Sequence, residues 1–197
     1  MRAVVLAIVA LPAIARADDK SMSADTFAVQ PPGQIVVDAG FLVALPSSLP
    51  AGLSTGVAAG ITRACGCHLG YGAIASWSSA SATSESWTVT HGELRLRATG
   101  ELRHDAGRGT LALRLGLGAS VVHEDRVRNQ GERAGLMGSA LEQTATAGLP
   151  AADLAAVVAL RVIGPWAFQI AGGPTVTWED SHLRGGWSAE IGVAWHP

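Results

Sequence analysis

The fold of this chain is decided by residues 93–103, which read ELRLRATGELR. Every even position of this segment holds leucine, alanine or glycine, whereas every odd position is polar and all but one of the odd positions are charged. An α-helix would scatter both sets around its circumference, but a β-strand sends alternate side chains to opposite faces. The segment therefore predicts a strand with one apolar face and one charged face.

Seven further segments show the same two-residue period, and together they indicate an all-β protein. The eight predicted strands are residues 34–45, 53–63, 67–79, 93–103, 110–121, 153–163, 166–179 and 187–196. The sixth segment is rich in alanine and fits a helix on propensity alone, but its alternation favours a strand. At 10 to 14 residues, the predicted strands are long enough for the tilted 9–11 residues that cross a bilayer.

Connections of alternating length join these strands. Short turns are predicted at residues 64–66, 104–109 and 164–165, and longer loops at 79–86, 126–150 and 180–186; only 46–50 is short where a long loop is expected. Short turns at one end and long loops at the other are typical of outer-membrane barrels. The pattern predicts a closed antiparallel up-and-down β-barrel of eight strands that crosses a membrane, unless residues 131–147 add further strands.

The first 17 residues have the organisation of a signal peptide. A short positive start is followed by an apolar run over residues 3–15 and by an Ala-Arg-Ala cleavage pattern that ends at Ala17. The run is too short to be a transmembrane anchor, which needs about 20 residues. We expect cleavage near Ala17, a flexible periplasmic lead-in over residues 18–33 and a barrel domain over residues 34–197.

The composition excludes several classes of function. Charged residues make up 15% of the chain, Lys20 is its only lysine, and the formal net charge is −2. Disorder requires low hydrophobicity and high charge, and nucleic-acid binding requires a basic surface, so the sequence fits neither. After the signal peptide no segment resembles a transmembrane helix, because the longest apolar candidate, residues 154–170, is interrupted by Arg161 and by Gly164-Pro165.

Alternation by itself does not say which face of the barrel is outside, because a soluble barrel that encloses its apolar face gives the same pattern. Uncharged apolar faces, polar faces rich in small residues, and tryptophans near the strand ends all favour apolar residues that face lipid. Trp87 departs from the lipid-facing parity of its strand and is therefore assigned to a loop. A soluble periplasmic barrel that binds an apolar ligand is the alternative. The predicted interfacial belt consists of Trp77, Trp87, Trp166, Trp178, Trp187 and Trp195.

From residue 34 onwards the chain resembles the small outer-membrane β-barrel family, of the OmpA-transmembrane-domain and OmpX type. The last strand is similar to the assembly signal of that family, with Glu190, Gly192 and Trp195 in suitable places and Pro197 where the family has a terminal aromatic residue. The resemblance implies location in the outer membrane of a Gram-negative bacterium, contact with its lipid, and handling by the outer-membrane assembly machinery. We expect a monomer.

The lumen of an eight-stranded barrel is just wide enough to be filled by side chains. Five carboxylates and five guanidinium groups are predicted to meet there, which permits a cross-braced network that blocks passage. A narrow anion path past Arg95, Arg97 and Arg103 is the alternative. The ten predicted lumen residues are Asp38, Glu93, Glu101, Glu179 and Glu190 with Arg95, Arg97, Arg103, Arg114 and Arg161.

The longest predicted connection, residues 126–150, carries three candidate contact residues, Arg126, Arg128 and Arg133. Beside the outer leaflet these arginines would meet lipopolysaccharide phosphates, whose geometry a guanidinium group matches. A solvated loop without a partner is the alternative.

Cys65-Gly66-Cys67 is the only cysteine cluster of the chain. A metal site there would need His104 or His196 to converge on the two thiols, since a site takes three or four ligands. Incidental or disulfide-linked cysteines are the simpler interpretation in an oxidising compartment, so neither a metal nor another cofactor is predicted.

Scattered histidines near the predicted outer end raise the possibility of an enzyme. His91, His123 and His182 have serine and acidic residues such as Ser120 nearby, but no nucleophile-elbow Gly-x-Ser-x-Gly is present. We therefore predict a non-enzymatic outer-membrane barrel whose outer loops act in surface interaction or envelope integrity. The soluble ligand-binding barrel and a small, narrow, porin-like pore are the alternatives.

Overall fold

The protein was analysed as a computed structural model, which describes residues 33–45, 53–65, 68–129, 142–179 and 182–197. Each strand is antiparallel to its neighbours in sequence, and the last strand pairs with the first, so the sheet closes into an up-and-down barrel. The predicted all-β barrel is confirmed. Within the described residues its eight strands are β1 (Ile35–Leu45), β2 (Ser54–Ala64), β3 (Leu69–Thr83), β4 (Trp87–Ala106), β5 (Gly109–Arg128), β6 (Glu142–Ile163), β7 (Trp166–Glu179) and β8 (His182–Trp195).

The closed sheet is sheared, which tilts its strands. Following the cross-strand register once round the barrel from Ile35 leads back to β1 at Leu45, ten residues further along. A sheet closes into a barrel only with such a stagger and tilt. We call the end where β1 begins and β8 ends the lower end, and the opposite end the upper end.

Side chains alternate between the outside of the barrel and its lumen. On β4, Leu96 is 55% exposed and Leu102 is 58% exposed, whereas Glu101 between them in the alternation is 5% exposed. In every strand the outward set is the one that the sequence pattern marks as apolar. The parity assigned to all eight strands from the sequence therefore agrees with the structure.

Several strands are longer than the apolar alternation indicated. β4, β5 and β6 have 20, 20 and 22 residues, so the predicted loops at 79–86 and 126–150 are shorter than expected. The alternation stops where the strands leave the apolar band, but the backbone ladder between them continues as far as Trp87 opposite Arg128. We call this extension the projecting sheet; it comprises residues 80–83, 87–92, 122–128 and 142–149.

Tight turns join the strands at the lower end, at the predicted positions between β4 and β5 and between β6 and β7. Gly107 and Gly164 have φ values of 58° and 53° in these turns, a conformation that glycine adopts without a Cβ penalty. Among the described residues the structure contains no helix long and apolar enough to cross a membrane.

Some predictions concern residues that the structure does not describe. They include the signal peptide over residues 1–17, the lead-in up to residue 32, the connection at 46–50, Cys67, Arg133, any strand added within residues 131–141, and the first two residues of the loop at 180–186.

Candidate functional site: a charged lumen beneath a projecting sheet

The polarity of the barrel is the inverse of that of a soluble protein. Leucines such as Leu117, which is 58% exposed, cover its outside, whereas Arg114 and Glu101 lie in the lumen and are at most 5% exposed. A charge removed from water is costly unless it is paired and hydrogen-bonded. The geometry of the lumen pairs therefore decides what the lumen does.

The uppermost layer of the lumen is formed by Glu93, Arg95 and Ser120. The Arg95 guanidinium donates to both carboxylate oxygens of Glu93, at 2.6 Å and 3.0 Å. The Ser120 hydroxyl donates to the same carboxylate. The Ser120 hydroxyl thus donates to the ion pair. A catalytic serine would instead donate to a histidine.

The middle layer links β3, β4 and β6 through Arg97. Its guanidinium lies 3.0 Å from Oδ1 of Asp153 and donates to the Ser76 hydroxyl at 2.9 Å. Asp153 is absent from the predicted lumen set, although it lies on the polar face of its strand. The signal was present in the sequence, because Asp153 alternates with the outward Leu154 and Ala156.

The lower layer is centred on Glu101. Arg114 approaches one of its carboxylate oxygens at 2.5 Å, and Arg103 lies 3.9 Å from the other. One carboxylate is therefore shared by two guanidinium groups.

Asp38 and Glu190 differ from these pairs. Asp38 is 2% exposed and Glu190 is 8% exposed. Neither carboxylate oxygen of Asp38 accepts a hydrogen bond from a described residue, and Oε1 of Glu190 accepts none either. Gln169 and Arg114 face Asp38 without closing such a bond. Both carboxylates are packed over glycines, since a Cβ at Gly60 would lie 2.8 Å from Asp38.

Two of the ten predicted lumen residues do not join the buried network. Glu179 lies at the upper end, where Arg184 approaches it at 2.6 Å, and both side chains are partly exposed. Arg161 lies exposed at the lower end next to the turn, where its backbone N–H donates to the Arg108 carbonyl. Both residues follow the lumen-facing parity, but the tilt of the strands carries them to the two mouths of the barrel.

A series of cavities follows the barrel axis. A cavity of about 80 Å³ opens at the upper mouth and one of about 50 Å³ at the lower mouth. Between them lie an upper void and a lower void of about 10 Å³ each, which is room for about one water molecule apiece.

The projecting sheet reverses the polarity of the barrel below it. Its outward face carries Thr90, Asp125 and Thr144, and the Thr144 hydroxyl donates to Asp125 at 2.8 Å. Its inward face carries Trp87 and Val89, which are half-buried. The outward face is thus apolar along the barrel and polar above it.

The candidate contact residues Arg126 and Arg128 lie on this inward face. Arg126 approaches Glu124 at 2.5 Å, and the Arg128 guanidinium lies 4.9 Å from the centre of the Trp87 ring. Their parity directs them over the mouth of the barrel and not outwards from its wall.

Five tryptophans expose their rings in two groups near the ends of the apolar band. The rings of the lower group are 6.5 Å apart. Trp87 is an exception and a correction: it is the first residue of β4 in the projecting sheet and does not belong to a loop. The upper group is Trp77, Trp178 and Trp187, and the lower group is Trp166 and Trp195.

The lower rim carries three histidines but no metal centre within the described ranges. The rings of His68 and His104 stack at 6.2 Å, and His68 Nδ1 donates to the Arg103 carbonyl at 3.0 Å. Burial lowers the pKa of His196, and the nearby guanidinium groups of Arg103 and Arg161 lower it further. The His196 imidazole is therefore neutral at neutral pH.

Comparison with known proteins finds the same architecture in solved structures. No family model and no curated protein matches the chain. The attachment invasion locus protein Ail of Yersinia pestis is 12% identical, with a TM-score of 0.52 over 84% of this chain and 100% of Ail. Neisserial surface protein A is 12% identical, with a TM-score of 0.54 over 82% of this chain and 96% of that one. The outer-membrane protein OprG of Pseudomonas aeruginosa is 10% identical, with a TM-score of 0.51 over 84% of this chain and 96% of OprG.

Proposed function

We propose that this chain is a non-enzymatic protein of the outer membrane of a Gram-negative bacterium. It acts at the cell surface, in surface interaction or in envelope integrity. Its fold is that of the small eight-stranded outer-membrane β-barrels. The inverted polarity of the barrel carries the proposal. In water, a barrel of this structure would expose leucines such as Leu96 and Leu117 on all sides while it buried Arg114. The alternative of a soluble barrel around an apolar ligand loses its support, because the lumen is lined by charged pairs.

The dimensions of the apolar exterior support a membrane location. On β5 the outward apolar residues run from Leu111 to Val121 and give way to His123. Ten residue steps of about 3.3 Å at a tilt of about 40° give a height of about 25 Å, which matches the apolar band of outer-membrane barrels. The two groups of tryptophans lie near the edges of this band, as interfacial belts do.

A role as an open pore is not favoured. The two interior voids of the lumen hold about one water each, and the ion pairs of Glu93, Arg97 and Glu101 stand across the axis. The porin-like alternative would need several of these pairs to open at once.

The projecting sheet is the feature that supports a surface role. It rises above the apolar band, and along residues 142–149 the β6 edge is not paired with β7 in the described structure. Arg126 and Arg128 stand beside this edge over the mouth, so the proposed ligands are anionic groups presented from above, lipopolysaccharide phosphates included.

Localisation is tested by expressing the full chain in a Gram-negative host and fractionating the envelope. We expect cleavage near Ala17, recovery in the outer-membrane fraction, and a compact gel band that shifts when the sample is boiled. Release of the protein in soluble form by osmotic shock would refute the proposal.

Orientation is tested with single cysteines in a Cys65→Ser, Cys67→Ser background. Thr144→Cys in the projecting sheet should react with a membrane-impermeant maleimide on intact cells, whereas Arg108→Cys in the lower turn should react only after the outer membrane is permeabilised. The reverse pattern would place the projecting sheet in the periplasm and remove the proposed surface role.

A further inference from the structure

The interior of the barrel offers a chain of polar groups from mouth to mouth. The upper mouth cavity and the upper void share Glu93 and Arg95 as lining residues. The lower void and the lower mouth cavity share Thr110 and His196. Among these cavities, all lined by described residues, the two voids share no lining residue, which marks an interruption of the path between them.

Glu190 and Asp38 stand at that interruption. Leu42 and Ser188 line the upper void. Glu190 is the register partner of Leu42 and lies two residues after Ser188 on β8. Asp38 lines the lower void. A Cβ at Gly40 would lie 2.8 Å from Oε1 of Glu190, so this carboxylate reaches down β1 to within two residues of Asp38.

The charge balance singles out the same two residues. Within the described part of the lumen, between the two mouths, five carboxylates face four guanidinium groups. Glu93, Asp153 and Glu101 take all four arginines in ion pairs. Asp38 and Glu190 are left in close to complete burial, with three carboxylate oxygens that accept no hydrogen bond from a described residue. Such oxygens call for water or a proton.

We propose that the lumen relays protons across the membrane through Glu190 and Asp38 while it excludes other ions. The inference rests on the proposed membrane location. A proton that enters from the upper mouth is accepted by the water in the upper void, which releases one of its own protons to a carboxylate oxygen of Glu190. One O–H bond forms on the water as another breaks, so the water stays neutral overall and one new O–H bond forms on the carboxyl. The proton passes on to Asp38 and then to water in the lower void, and both carboxylates return to their starting state. Nothing is oxidised or reduced.

Ion exclusion follows from the same geometry. A void of about 10 Å³ admits one water and no hydrated ion. An ion would also have to pass two closed ion pairs. Arg97 lies 3.0 Å from Oδ1 of Asp153, and Arg114 lies 2.5 Å from the shared carboxylate of Glu101. A proton needs only a chain of hydrogen-bonding oxygens, not a space of its own size.

The experiment uses the mature chain reconstituted in liposomes that contain a pH-sensitive dye. After an external acid step, with potassium and valinomycin to compensate charge, we expect the internal pH to fall several-fold faster than in protein-free liposomes. In planar bilayers with potassium chloride we expect no conductance steps. Incorporation is verified beforehand by the heat-sensitive gel band, so a failed relay is distinguishable from a failed membrane location.

Variants identify the path. Asp38→Asn and Glu190→Gln keep the shape of each side chain but remove its exchangeable carboxyl proton, and each should return the rate to the protein-free value. Asp125→Asn makes the same chemical change in the projecting sheet, away from the lumen, and should leave the rate unchanged. A wild-type rate equal to that of protein-free liposomes, unchanged rates in both lumen variants, or stepwise potassium chloride conductance would each overturn the proposal.

Discussion

Individual glycines make room for the lumen carboxylates. Gly116 is the register partner of Asp153, and a Cβ at Gly116 would lie 2.4 Å from Oδ1 of that carboxylate. Gly60 stands in the same relation to Asp38. The glycines of the lumen therefore serve a packing purpose, since a narrow barrel has no other space for a folded-back acidic side chain.

Gly116→Ala should destabilise the barrel. The added methyl must displace the Asp153 carboxylate from Arg97, and overpacking of this kind costs about 1–3 kcal/mol. The measurement is the urea midpoint of unfolding in detergent micelles, followed by the heat-sensitive gel band. Gly100→Ala is the matched control, because a Cβ at Gly100 on the outward face of β4 meets nothing within 4 Å. Equal midpoints for both variants would contradict this account of Gly116.

At the scale of elements, Asn129, the residue directly after β5, supports the turn at the top of the projecting sheet. The Asn129 side-chain amide donates to the Ser84 carbonyl at 2.7 Å and to the Glu85 carbonyl at 3.0 Å, and its Oδ1 accepts from the Thr88 hydroxyl at 2.9 Å. Its backbone N–H donates to the Ser86 carbonyl. Asn129 therefore ties the turn between β3 and β4 to the end of β5.

Asn129→Ala should loosen this turn without opening the barrel. Each lost hydrogen bond contributes about 1 kcal/mol, and the losses fall outside the apolar band. Limited proteolysis of the folded protein should cut near residues 84–87 faster than in the wild type, while the heat-sensitive band stays unchanged. Asn129→Asp keeps the acceptor for Thr88 but loses the amide donors, so it should resemble the alanine variant. Unchanged proteolysis in both variants would show that the turn does not depend on Asn129.

At the scale of the whole molecule, the change of polarity at the top of the band decides how the protein meets its surroundings. Within residues 94–102 of β4 and 111–121 of β5, the outward residues are leucine, alanine, glycine and valine; above them the outward residues include Thr90 and Asp125. In the proposed membrane location, the same outward face meets hydrocarbon along the barrel and water above it.

Leu115→Arg should impair membrane assembly, whereas Thr90→Arg should not. Leu115 is 51% exposed and lies near the middle of the apolar run of β5, where an arginine costs about 2–4 kcal/mol in lipid. Thr90 is also exposed and has the same outward parity, but it lies above the band. The measurement is the folded fraction after refolding into lipid vesicles. Equal yields for both variants would mean that the outside of the barrel faces water.

The sequence by itself determined the strands, their parity and the expectation of a closed barrel with an apolar outside, because alternation is a property of consecutive residues. Its polar face predicted lumen positions for Glu93, Arg97 and Glu101, whose side chains form ion pairs inside the closed sheet. Only the tertiary structure decided which charges meet. Partners such as Arg97 and Asp153 lie on strands far apart in sequence, and the shear accumulated around the closed sheet determines their relative heights. The same shear moved Glu179 and Arg161 to the mouths and left Asp38 and Glu190 outside the ion pairs of the described lumen. Only the tertiary structure showed that β4, β5 and β6 continue above the apolar band. Strand pairing there needs main-chain hydrogen bonds and does not need apolar side chains, so no apolar pattern in the sequence marks it.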